Sequence, residues 1–96
     1  MRRVFKYGLP IDDSRVVIRM PAGARVLDIQ VQHGAPCLWA LVDDARPIES
    51  RRFLIYPTGR EIADSGVFVG TFQIHGALVY HVFEDAPDIT QATRDA

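Results

Sequence analysis

Apolar and polar residues alternate along most of the chain with a period of two, and helical periodicity is almost absent. Because successive side chains of a β-strand point to opposite faces, this alternation predicts strands that are buried on one face. Glycine, proline, aspartate and serine separate the alternating segments and predict the turns. The predicted strands cover residues 3–7, 15–19, 25–32, 37–42, 51–56, 67–74 and 77–83.

Strands this short, separated by turns at this spacing, are typical of one class of fold. We expect an all-β domain of about seven strands, either a single compact antiparallel β-sandwich or a small distorted barrel. The domain is predicted to cover residues 1–84. Residues 85–96 are acidic and have no apolar periodicity, so we expect them to form a flexible tail.

The segment 67–83 predicts a hairpin that turns at His75-Gly76. A two-residue loop would pair Ile74 with Ala77 and place Gly70 opposite His81. In that register, His81 lies on an apolar face beside a residue without a side chain. We therefore expect a neutral core histidine with hydrogen-bonded ring nitrogens.

A second hairpin is predicted to join 25–32 to 37–42, and its two faces differ. Val31, Ile29 and Leu27 oppose Leu38, Ala40 and Val42 on one face, which should be core. On the other face, polar residues of the first strand oppose a stripe of cysteine, tryptophan and leucine. The predicted pairs on that face are Gln32 with Cys37, Gln30 with Trp39 and Asp28 with Leu41.

This uneven face is the candidate binding interface, because an aromatic side chain among adaptable polar neighbours is typical of a binding hot spot. The candidate residues are Trp39, Leu41, Cys37, Gln30, Gln32 and Asp28. The competing interpretation is that another strand of the same chain, 3–7, covers the stripe. If the stripe is free, self-association is the simplest function, since symmetric dimers are the commonest oligomers.

Charge adds an alternative. The 96 residues carry a net charge of −1, which argues against nucleic acid as a partner. The N-terminal stretch 1–25 is nevertheless basic, and the C-terminal stretch 84–96 is acidic. If its strands share one surface, they predict a small-anion or nucleotide site at Arg3, Lys6, Arg15 and Arg19.

Catalytic and metal-binding motifs are missing from the sequence. The histidines have none of the close spacings that preorganise metal ligands, and His33 and His75 precede glycines in predicted turns. We expect Cys37 to be a small apolar filler, and a small enzyme that uses His81 or a Cys37–His33 pair is the least favoured interpretation. We therefore expect no catalytic residues, no metal and no cofactor.

Two further features bear on location. The chain has a single cysteine, which is typical of proteins from a reducing compartment. It also has no apolar run of the 18 residues that a membrane-spanning helix needs. We expect a cytoplasmic protein without membrane contact.

Several segments resemble a family of short bacteriophage and prophage proteins. The resemblance lies in FKYGLP (5–10), MPAGA (20–24), VQHGAPCLWALVD (31–43), FLIYPTG (53–59), GTFQ (70–73) and HVFE (81–84). It implies a phage or prophage product in the host cytoplasm and no particular activity. We expect this product to act as an accessory protein by binding, with a host or phage protein or a second copy as partner. The resemblance carries over no catalytic residue.

Overall fold

Seven strands make up the described chain in a computed structural model, which describes residues 1–11, 14–62 and 66–85. The tail predicted for 85–96 therefore lies outside the described residues, apart from Asp85. The strands are β1 (Arg2–Gly8), β2 (Arg15–Pro21), β3 (Arg25–Gln32), β4 (Ala35–Asp43), β5 (Ile48–Pro57), β6 (Val67–Ile74) and β7 (Leu78–Glu84).

The strands form two antiparallel sheets, one in the order β1-β4-β3 and the other in the order β2-β5-β7-β6. The sheets pack face to face and do not close on each other, so the all-β sandwich prediction is confirmed and the barrel alternative is wrong. The inner faces supply the core. Its largest fully buried side chains are Phe53, Met20, Leu38, Val42 and Val82.

The two sheets meet where β3 lies over β6. Gly70 is on the inner face of β6, and a methyl group added there would lie 3.5 Å from Ile29 Cδ1 on β3. The missing side chain thus lets Ile29 fill the space between the sheets. The prediction that Gly70 makes room for a histidine is wrong.

The β6–β7 hairpin turns where the sequence predicts, but its register differs by one residue. His75 and Gly76 have φ of 52° and 74°, and Ala77 N donates to Ile74 O at 3.3 Å. Ala77 is then left outside the ladder, and Ile74 pairs with Leu78. Because a one-residue shift reverses the faces, His81 lies on the outer face opposite Thr71 and not in the core.

The β3–β4 hairpin has a two-residue loop at His33-Gly34, with φ of 52° and 77°. Such a loop pairs Gln32 with Ala35, so the partners of residues 28–32 differ by two residues from the prediction while the faces of residues 28–32 are retained. A bulge leaves Leu27 unpaired and 47% exposed, so its predicted place in the core is wrong.

Pro36 lies inside β4, although its residue type predicts a turn. In a two-residue hairpin the first pair is hydrogen-bonded, so the nitrogen of the following residue points away from the partner strand. On the other side of Pro36, β1 has already ended, and Pro36 O accepts a hydrogen bond from Leu9 N at 3.0 Å. The missing N–H therefore costs no ladder hydrogen bond.

Candidate functional site

The outer face of the three-stranded sheet carries the stripe that the sequence singles out. β4 is the central strand, with β1 and β3 on either side. We call this surface the Trp39 face. Its members, row by row across β1, β4 and β3, are Gly8–Cys37–Gln30, Lys6–Trp39–Asp28 and Val4–Leu41–Arg25, with Gln32 at the end of β3.

No described strand packs over the Trp39 face. The strand expected to cover it, β1, pairs beside β4 in the same sheet, so that alternative is wrong. Trp39 and Leu41 are half-buried by their neighbours, and Val4 is 55% exposed. Cys37 is only 3% exposed although it lies outside the core cluster, in keeping with a small apolar filler.

Polar groups of opposite sign flank Trp39. Lys6 Nζ donates to Gln32 Oε1, and this contact spans β4 from the β1 side to the β3 side. On the β3 side, the Asp28 carboxylate accepts hydrogen bonds from Ile29 N at 2.8 Å and from Gln30 Nε2 at 2.7 Å. Trp39 therefore has a lysine beside it on β1, which is engaged with Gln32, and a carboxylate beside it on β3.

The four basic residues predicted to form an anion site are spread over different surfaces. Arg3 is on the inner side of β1 and donates to Asp44 Oδ2 at 2.5 Å, whereas Lys6 is on the Trp39 face. Arg15 and Arg19 belong to β2 in the other sheet. The fold does not bring these four together.

Arg3 is one of the groups that favour the ionised form of the carboxylates at the β4–β5 turn. Its hydrogen bond, followed by that of the Met1 amino group, lowers the pKa of Asp44 below 3.8. The pKa of Asp43 is lowered by the backbone N–H of Ala45 and then by the same amino group. Because both folded-state pKa values are depressed, the stabilisation is present above the unfolded value of about 3.9 and is lost as pH falls through the folded value.

Arg3→Gln is therefore expected to raise the pKa of Asp44 toward 3.8, since the largest cause of the shift is removed. The carboxyl ¹³C resonance followed by NMR between pH 2 and pH 6 measures it. Arg19→Gln, on the other sheet, should leave the Asp44 titration unchanged. An unaltered Asp44 pKa in Arg3→Gln would contradict the assignment.

A hollow of about 260 Å³ opens at one end of the Trp39 face. Leu41 and Val42 belong to its lining, and three arginines surround them: Arg2 from β1, Arg25 from β3 and Arg46 from the β4–β5 turn. None of these three is among the four basic residues that the sequence predicts. Arg2 and Arg25 share the basic N-terminal stretch 1–25, but Arg46 becomes their neighbour only through folding.

His81 belongs to the outer face of the four-stranded sheet. Its Nε2 is 2.8 Å from Thr58 Oγ1, and its Nδ1 is 3.0 Å from Thr71 Oγ1. Both ring nitrogens are thus partnered, as predicted, but by hydroxyl groups on an outer surface. Tyr56 and Phe68 pack edge-on against Phe83 beside it, with ring centroids 6.0 and 5.5 Å apart.

Groups that could perform catalysis are dispersed. Cys37 Sγ donates to Ala35 O at 3.5 Å, with no hydrogen bond to His33. Within residues 1–11, 14–62 and 66–85, no three His, Cys, Asp or Glu side chains are grouped as metal ligands. The same residues contain no helix long and apolar enough to cross a membrane.

These observations define a small all-β sandwich domain in which no described strand covers the Trp39 face and a basic hollow adjoins that face. The chain belongs to the family described as Domain of unknown function (DUF7352), whose model matches residues 1–93. No curated protein and no solved structure matches the chain.

Proposed function

We propose that this protein is a binding protein that self-associates through the Trp39 face, as an accessory protein of a phage or prophage. The row Lys6–Trp39–Asp28 carries the proposal. An aromatic side chain lies at its centre, a cation on one side and a carboxylate on the other. The phage setting is supported by the resemblance of this chain's sequence motifs to those of short bacteriophage and prophage proteins.

The row is complementary to a second copy of itself. Consider two Trp39 faces packed together about a two-fold axis that runs parallel to the strands. This axis exchanges the β1 side with the β3 side, so Lys6 of each copy would leave Gln32 and meet Asp28 of the other copy. The two Trp39 rings would meet at the axis. Opposite charges across an interface fix its register and exclude other arrangements.

The neighbouring rows fit the same axis. Gly8, which has no side chain, faces Gln30 of the other copy, and Val4 faces the aliphatic part of Arg25. A two-fold axis perpendicular to the strands would instead place Lys6 against Lys6. Self-association is therefore expected in one orientation only.

The dimensions of the face set the expected strength. Three strands about 4.8 Å apart and about seven residues long give roughly 350 Å² per copy. Stable dimers bury about 800 Å² per partner, so the dimer is expected to be transient and to depend on concentration. Sedimentation velocity from about 10 µM to 1 mM protein should show a monomer–dimer equilibrium.

Trp39→Ala should raise the dimer dissociation constant about ten- to thirtyfold, because a central aromatic anchor is lost. Phe68→Ala is the matched control, since Phe68 is an aromatic side chain 58% exposed on the other sheet. It should leave the dissociation constant unchanged. A wild-type protein that stays monomeric at 1 mM would contradict self-association, and equal effects of the two substitutions would contradict the assigned face.

Charge reversal tests the orientation. Lys6→Glu alone and Asp28→Lys alone should each raise the dissociation constant about tenfold, since like charges then meet twice in the dimer. The double variant restores attraction between copies and should return to within about threefold of the wild type. If the double variant is as weak as the single ones, the proposed axis is wrong.

A further inference from the structure

The hollow at the end of the Trp39 face is built from residues that are distant in sequence. Arg2 lies opposite Asp43 in the β1–β4 ladder, and Arg25 lies opposite Leu41 in the β3–β4 ladder. Arg46 lies in the β4–β5 turn, where its backbone N–H donates to Asp43 O at 3.0 Å. Three arginines from three separate segments thus line one hollow of about 260 Å³.

These three arginines differ from the arginines that form ion pairs within the fold. Arg3, Arg51 and Arg52 are each paired with a carboxylate, namely Asp44, Glu84 and Asp85. Across the part of the chain that the structure describes, the guanidinium groups of Arg2, Arg25 and Arg46 have no ion pair or hydrogen bond. Their donors are therefore available to a ligand.

One acidic residue, Asp43, also lines the hollow, and its charge is already engaged. The Met1 amino group is 3.2 Å from Asp43 Oδ1, and Ala45 N donates to the same oxygen at 3.1 Å. Glu49 Oε1 accepts from Gly23 N at 3.3 Å, and Asp44 shares the amino group and contacts Arg3. With these groups counted, five positive groups still stand against three carboxylates around the hollow. Such a concentration of like charge favours an anion in the middle of it.

We infer that the hollow binds a phosphoryl group, as inorganic phosphate, a diphosphate or the phosphate of a larger molecule. Guanidinium forks match phosphate oxygens in planar, two-point hydrogen bonds, and three of them suit a ligand with more than one negative charge. Gly23, which also lines the hollow, has nothing within 4 Å of where a side chain would begin. This function does not require the proposed self-association.

The test is a titration of ¹⁵N-labelled protein at about 50 µM, below the expected dimer range, with inorganic phosphate, pyrophosphate and acetate at constant ionic strength. Phosphate should shift the amide resonances around residues 23–25 and 41–46 with a millimolar dissociation constant. Pyrophosphate should bind about fivefold more tightly, and acetate more weakly than phosphate. Equal binding of acetate, or shifts spread evenly over the chain, would overturn the inference.

Arginine variants localise the site. Arg2→Gln and Arg46→Gln should each weaken pyrophosphate binding about three- to tenfold. Arg19→Gln, an arginine exposed on the other sheet, is the matched control and should bind like the wild type. Unchanged affinity in Arg46→Gln would overturn the inference.

One variant distinguishes a failure of the phosphate site from a failure of self-association. Trp39→Ala, which should abolish most self-association, leaves the three arginines in place and should keep the wild-type affinity for pyrophosphate. Loss of pyrophosphate binding in Trp39→Ala with its fold intact by circular dichroism would show that the hollow is not the site.

Discussion

Phe53→Ala should lower the free energy of unfolding by about 3–5 kcal/mol, the range for removing a large aromatic side chain from a packed core. Phe53 is 0% exposed and lies on β5, which pairs with β2 on one side and β7 on the other. It opposes Val16 across one ladder and belongs to the central core cluster. Its loss leaves a cavity that backbone hydrogen bonds on both sides prevent from collapsing.

Urea denaturation followed by circular dichroism measures this loss. A domain of this size has a total stability of about 5–14 kcal/mol, so the variant should unfold at a much lower urea concentration. Phe68→Ala removes the same side chain from an exposed position and should cost less than about 1 kcal/mol. A loss below about 1.5 kcal/mol in Phe53→Ala would show that this part of the sandwich is loosely packed.

The alternation of residue types was enough to predict the strands, because period-two burial is a local property of each segment. The turn at His75-Gly76 was also predicted, whereas the other loop was predicted over 33–36 and is confined to His33-Gly34. The register of each hairpin was harder to predict from the sequence. A single unpaired residue, Ala77 or Leu27, changes it, and no local pattern marks which residue the ladder omits.

Pairing between distant strands was not predictable in the same way. β1 pairs with β4, which is distant in sequence. This pairing depends on how all the inner faces pack together and not on the pattern of either strand alone. This pairing decides the candidate sites. The stripe of Trp39 and Leu41 could be found from one strand, whereas the arginine hollow needs Arg2, Arg25 and Arg46 from three segments. Only the uneven distribution of arginine along the chain pointed toward it.

Neighbouring positions on β4 separate stability from binding. Leu38 is 0% exposed in the core, while Trp39 is next to it in sequence and points to the outer face. Since the core is complete without Trp39, the indole is available for a partner at little cost to the fold. A side chain of this size that is kept out of the core supports the interface proposal.

Arg51→Met should lower the free energy of unfolding by about 2–3 kcal/mol, because it leaves a partly buried carboxylate without its partner. Arg51 Nε and Nη2 donate to the two oxygens of Glu84 at 2.6 and 2.8 Å. Arg51 Nη1 also donates to the carbonyl of Ala24. The guanidinium thus connects β5 to the end of β7 and to the β2–β3 turn.

The neighbouring pair supplies the control. Arg52 and Asp85 are joined by one contact of 3.1 Å, and their side chains are 56% and 28% exposed, against 16% and 22% for Arg51 and Glu84. Solvent weakens the more exposed pair, so Arg52→Met should cost about 0.5 kcal/mol or less. Urea denaturation of Arg51→Met, Glu84→Met and the double variant should give a coupling free energy of about 1–2 kcal/mol. If Arg51→Met costs no more than Arg52→Met, the two-point contact does not hold the end of β7, and packing around Phe53 alone keeps that strand in place.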